Sequence, residues 1–123
     1  MTQYEGACLD SNADEHAIRE VLNRVGDKWS LLVVATLRNG RLRFSELQRH
    51  IPGVSQRMLT LTLRQLERDG LLVREVHAEV PPRVEYELTA MGASLVEASI
   101  ALLSWALEHQ PAIERARAAY DAR

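Results

Sequence analysis

The side chains best placed to do chemistry lie in one stretch, SQRMLTLTLRQLERDG, from Ser55 to Gly70. At the helical period Leu59, Leu63 and Leu66 share a face, while Arg57, Leu61, Arg64 and Arg68 fall roughly opposite with Thr60 beside them. Guanidinium forks, a hydroxyl and an apolar side chain able to meet a thymine methyl suit the DNA major groove. Ser55 is a good N-cap, and Val54 with Leu59 makes a hydrophobic staple across the helix start. A charged helix face is by itself more often a solvated surface. The weight therefore falls on the surrounding chain.

Other chemistries find little support. The single cysteine, Cys8, excludes an intrachain disulfide framework and a thiolate-rich metal site. His16, His50, His77 and His109 lie on four different elements with no ligand spacing, so no metal is expected. The chain has no GxSxG, phosphate loop, dinucleotide fingerprint or paired-carboxylate arrangement. No cofactor is implied, and an enzyme is not expected.

The elements that must position the arginine-rich helix are legible on either side. A chain of 123 residues, 46% hydrophobic, is one ordered domain. No unbroken apolar run approaches the roughly 18 residues of a membrane span, and the N-terminus lacks a signal-peptide layout. A cytoplasmic location is expected. Net charge is −2, yet residues 41–83 hold eight arginines against five acids, a local +3 around the arginine-rich helix. Such asymmetry marks a candidate nucleic-acid face.

Residues 1–11 read as an arm without clear period. Asn12 and Glu15 form a capping-box pair for a first helix carrying Ile18, Val21, Leu22 and Val25. Asp27 caps a second, with Trp29, Leu32, Val33, Thr36 and Leu37 on one face, ended by Asn39-Gly40. Arg41 to Arg43 suits a very short strand. Ser45 and Gln48 make a capping pair on a short helix that turns Phe44, Leu47 and Ile51 inward. Pro52-Gly53 then turns the chain into the helix at Ser55, and the pair reads as helix-turn-helix, about 44–70.

Leu72 to His77 and Arg83 to Leu88 read as two strands around Pro81-Pro82, because Val84, Tyr86 and Leu88 alternate with Glu85 and Glu87. A hairpin in this place is a wing, about 71–88, and puts Arg83 at its tip. Thr89 caps a long helix to about Gln110, Pro111 resets the chain, and a last helix follows from about Ala112. The broad apolar band of Leu95, Val96, Ser99, Ile100, Leu102, Leu103, Ala106 and Leu107 is wider than one small core needs. The terminal helices, about 89–123, are therefore expected to form a two-fold dimer. The fold class is mainly α with a small β-wing, a winged helix-turn-helix.

Gly26 to Gly92 resembles the HxlR-type winged helix-turn-helix regulators of bacteria, relatives of the MarR group. The marks are Gly26-Asp27-Lys28-Trp29, Arg43-Phe44-Ser45-Glu46-Leu47, Ile51-Pro52-Gly53-Val54-Ser55 and Leu59. After them come Leu63-Arg64-Gln65-Leu66-Glu67, Gly70-Leu71, Val80-Pro81-Pro82-Arg83-Val84-Glu85-Tyr86 and Leu88-Thr89. The resemblance implies a homodimeric transcription factor, often a repressor, on double-stranded operator DNA. It carries DNA contact to Ser55, Gln56, Arg57, Thr60 and Arg64, with Arg83 as the wing contact. Lys28, Arg43 and Ser45 would hold backbone phosphates. Leu61 departs from the usual polar residue and suits a thymine methyl.

Some members of that family sense quinones, aldehydes or oxidants through a cysteine before the first helix, the place of Cys8. Leu9 stands where sensing members often have proline, and Glu5 and Asp10 favour the neutral thiol. Three readings stay open. The inducer acts on Cys8 by oxidation or electrophile addition, or a small molecule acts elsewhere with Cys8 inert, or the domain is an interaction module without DNA binding.

Overall fold

The computed structural model describes residues 12–123, with side chains from Asp14 onward. Helices α1 (Asn12–Val25) and α2 (Lys28–Thr36) come first, and a short 3-10 turn, Leu37–Asn39, follows α2. Strand β1 (Leu42–Arg43) runs into α3 (Phe44–His50), and α4 (Gln56–Arg68) follows the Pro52-Gly53 turn. Strands β2 (Leu72–His77) and β3 (Arg83–Leu88) lead to α5 (Ala90–Ser94) and α6 (Val96–Asp121). The three strands form one antiparallel sheet in the order β1-β3-β2. Helices α3 and α4 thus lie within residues 44–68, and strands β2 and β3 within residues 72–88.

Apolar spacing explains the core. Leu59, Leu63 and Leu66 of α4 are buried against Val33, Val34 and Leu37 from α2 and the turn after it, with Leu47, Ile51 and Val54 closing the helix-turn-helix. Leu71, Leu72 and Tyr86 join them from the sheet side, and Trp29 packs half-buried at the edge. Burying a leucine-sized side chain is worth about 1.5–3 kcal/mol. The inward rows of α3 and α4 thus pack on α2 and on the sheet together.

Caps set the helix ends. Asp27 caps α2, accepting from the Ser30 backbone N–H at 2.9 Å, and Ser30 Oγ donates to its other oxygen at 2.9 Å. Helix α4 ends in a Schellman arrangement. Gly70, at φ +80°, donates to Glu67 O at 3.1 Å and Leu71 N donates to Leu66 O at 2.9 Å. That left-handed glycine turns the chain from α4 straight into β2.

Several expectations are corrected. The capping pair of α3 is not Ser45 with Gln48: Arg43 is the N-cap, and its backbone N–H donates to Glu46 Oε1 at 2.9 Å. Pairing of Leu42–Arg43 with β3 starts the helix two residues earlier than Ser45 would. Thr89 caps only α5, and α6 begins after Leu95. Pro111 does not reset the chain but sits inside α6. Alanines and other good helix formers flank it, and exposure lets water meet the carbonyl it leaves without a donor. The Asn12–Glu15 cap involves a side chain outside the described ones.

The expectation about apolar length is also qualified. Among the described residues Ala90–Asp121 is one helical segment long and apolar enough to cross a membrane, with mean hydropathy 1.5 over its best 18-residue window. Glu97 and Glu108 interrupt it, which hides it from a count of unbroken apolar residues. Part of α6 lies along α2. Leu102, Trp105, Leu107, Ile113 and Tyr120 stay exposed, as do Val21 and Leu22 on α1.

Candidate nucleic-acid interface

The outward side of α4 is built by the same period that buries its leucines. Ser55, Gln56, Arg57, Thr60, Leu61 and Arg64 line one open concavity on this helix, so the structure brings together six of the expected contact residues. The Ser55 hydroxyl accepts from Met58 N at 3.0 Å and fixes the N-terminal turn. Leu61 is 48% exposed, a cost in water that a thymine methyl would remove. The Thr60 hydroxyl donates to Gln56 O at 2.8 Å. Its proton is committed, so its lone pairs are what it offers a ligand, and those suit an exocyclic amino donor such as adenine N6 or cytosine N4.

Charge pairing distinguishes α4 from α1 and from the Arg41 and Arg83 positions of the sheet. Arg19, Arg24, Arg41 and Arg83 each face carboxylates. Arg57, Arg64 and Arg68 make no ion pair among the described residues and stand exposed on α4. Unpaired guanidinium groups gathered on one helix keep their full donor sets for an anionic partner.

The remaining expected residues do not line that concavity. Lys28 is exposed at the start of α2, its Nζ 4.8 Å from the centroid of the Trp29 ring. Arg43 is exposed at the end of β1, and Ser45 lies exposed in the first turn of α3, where free backbone N–H groups favour an anion. Arg83 sits at the start of β3, half-buried, with Nη2 3.4 Å from Glu79. It is not free at the wing tip as the sequence suggests. Cys8 lies outside the described residues.

Two features were not read from the sequence. Arg24 of α1 meets Asp69, the C-cap of α4, at 2.8 Å, tying the first helix to the arginine-rich one. The outer sheet face carries a charged network in which Arg41 reaches Glu75 at 3.1 Å and Glu87 at 3.4 Å. In the same network His77 Nε2 lies 2.6 Å from Glu85 Oε1. Burial on the sheet pushes the Glu85 carboxyl up, but the His77 hydrogen bond and the charges of Arg83, His77 and Arg41 outweigh it and hold it below the ordinary value. These partners are far apart in sequence and give no local signal, although period-two spacing does put Glu75 with His77 and Glu85 with Glu87 on single faces.

The HxlR-like helix-turn-helix family model matches residues 24–114. An uncharacterized HTH-type transcriptional regulator of Methanothermobacter thermautotrophicus is 49% identical over 105 residues, covering 83% of this chain and 80% of the relative. Among solved structures, the redox regulator HypR in its reduced form is similar at TM-score 0.72 and 37% identity, covering 80% of this chain and 98% of that one. The reduced form of the transcriptional regulator YodB from B. subtilis is similar at TM-score 0.62 and 32% identity, covering 80% and 92%. The protein is a transcriptional regulator rather than an enzyme, and it belongs to the HxlR-like helix-turn-helix family.

Proposed function

We propose that this regulator is a cytoplasmic homodimer, a repressor, that binds an inverted-repeat operator with α4 in the major groove. The observation that carries the reading is the row of unpaired arginines and polar side chains lining one open surface of α4. Gln56, Arg57, Thr60 and Arg64 read base edges, Leu61 meets a thymine methyl, and Ser55 closes the row. Lys28, Arg43, Ser45 and Arg83 hold phosphates and fix register. The exposed apolar side chains of α1 and α6 supply the two-fold contact, which sets half-sites about one helical turn apart. HypR is a redox regulator, and a diamide-treated form of YodB has been solved. Their likeness supports Cys8 as the thiol through which oxidants or electrophiles release the operator.

The test is an anisotropy titration of the protein's own upstream DNA, with and without diamide, for wild type, Arg64→Ala and Cys8→Ser. Arg64→Ala is expected to lose about 1–3 kcal/mol on the cognate site and to relax discrimination at one base pair. Equal losses on cognate and scrambled DNA would make Arg64 a phosphate contact. Oxidant should abolish binding in wild type only. No binding at any salt concentration would favour an interaction module without DNA binding.

A groove favours a second reading, in which a small molecule is the inducer and Cys8 is inert. Ala17, Val21, Val25, Leu71 and Met91 line a space of about 370 Å³ between α1, the end of α4 and α5, with the Arg24–Asp69 pair beside it. Ligand-dependent melting shifts that persist in Cys8→Ser would support it.

A further inference from the structure

Arg83 is held in an arrangement that satisfies it poorly. Its Nε–H is buried and finds no hydrogen-bond acceptor. The oxygen it faces, Glu85 Oε1, lies 3.9 Å away and is engaged by His77 Nε2 at 2.6 Å. His77 and Arg83 are register partners across the β2–β3 ladder, so both side chains leave the same face of the sheet. Glu79 at the turn holds the other end of the guanidinium at 3.4 Å. Arg41 stands 3.7 Å from the same Glu85 oxygen, and Glu75 3.7 Å from the His77 ring. Glu87 faces Arg41, and Arg43, the register partner of Glu85 across the β1–β3 pair, leaves the same face. One carboxylate oxygen is thus shared by an imidazole and two guanidinium groups.

We propose that His77, Glu85 and Glu79 are positioning residues for Arg83, a latch that stows the wing arginine on the sheet until His77 takes a proton. Histidine is the side chain whose ordinary chemistry changes charge between about pH 5 and 8. A proton on His77 puts full positive charge beside the oxygen that holds Arg83 and repels the neighbouring guanidinium. The His77–Glu85 bond tightens as a charge-assisted pair, and Arg83 is left with only the 3.4 Å contact to Glu79. Swung outward, Arg83 satisfies its Nε–H on a DNA phosphate. The latch rests on the reading of Arg83 as a phosphate contact and adds when that contact is available.

The test is operator binding by anisotropy at about pH 8 and about pH 6, at one ionic strength, for wild type, Arg83→Ala, His77→Gln and Glu85→Gln. Wild-type affinity should rise on acidification by about two- to fivefold more than that of His77→Gln, the size that exposed ion pairs allow. The His77→Gln slope carries the contribution of His16, His50 and His109. Arg83→Ala should follow the shallow slope of His77→Gln, and Glu85→Gln at about pH 8 should bind about two- to fivefold more tightly than wild type does there. If Arg83→Ala binds like wild type at both values, the wing contact itself is wrong. If Arg83→Ala weakens binding equally at both while wild type and His77→Gln share one slope, the contact stands and the latch is overturned. Should His77→Gln fail to fold, Glu85→Gln decides, because unchanged affinity at about pH 8 overturns the latch.

Discussion

Gly92→Ala tests how tightly α5 is docked on the wing. A Cβ built at Gly92 would lie 1.9 Å from Leu71 O, 2.9 Å from Leu71 C and 3.2 Å from Leu88 Cδ2. The first distance is more than 1 Å inside the about 3.3 Å at which carbon ordinarily meets a carbonyl oxygen. The obstacle is backbone, and that backbone is tied down: Thr89 N donates to Leu71 O at 3.1 Å, and Thr89 Oγ1 donates to Gly70 O at 2.6 Å. Relief requires α5 to move away from the start of β2, opening contacts around Leu71, which is 6% exposed. Overpacking costs about 1–3 kcal/mol and occasionally more. With both sides of this contact fixed by hydrogen bonds, the expected loss is at the top of that range, about 3 kcal/mol. For a domain of this size that lowers Tm by on the order of 10 °C. Thermal melting should be followed at one protein concentration, because the proposed self-association would stabilise by mass action. Gly53→Ala is the control, because its position at φ +86° has nothing within 4 Å and carries backbone strain alone. Gly92→Ala melting within about 2 °C of wild type would refute the reasoning and show that α5 tilts freely on the sheet.

Two further outcomes follow from the same structure. Leu22, 52% exposed on α1, is expected to lie in the dimer contact, so Leu22→Asp should weaken self-association at least tenfold, about 1.4 kcal/mol, in sedimentation equilibrium. A dimer of undiminished strength would place the interface elsewhere. Glu85 is held below its ordinary value of 4.5, so as pH falls the unfolded chain takes up that proton first. Its contribution is therefore present above about pH 4.5 and fades as pH falls from there through the lowered native value. Urea titrations should show wild type losing stability across that acid range more steeply than Glu85→Gln, and parallel acid profiles would count against it.

Periodicity and caps determined most of the frame. The spacing of Leu59, Leu63 and Leu66 fixes which side of α4 is buried, and therefore which side carries Arg57, Leu61 and Arg64. Asp27, Ser55 and Thr89 cap helices where their side chains imply, because a cap bonds to a backbone group only three residues away. Strands β2 and β3 begin and end at the expected residues because alternation and turn residues act locally. Tertiary structure decided what depends on partners distant along the chain. Pairing of Leu42–Arg43 with β3 moved the α3 cap from Ser45 to Arg43, a choice no local pattern contains. Gly92 reads as an unremarkable residue until Leu71 is laid against it. The fate of Arg83 was set in the same way: alternation places it on the sheet's outer face, but only the folded hairpin brings His77 to the carboxylate that Arg83 would otherwise take. Local rules act over a few residues, whereas ion pairing and close packing depend on which strands and helices meet.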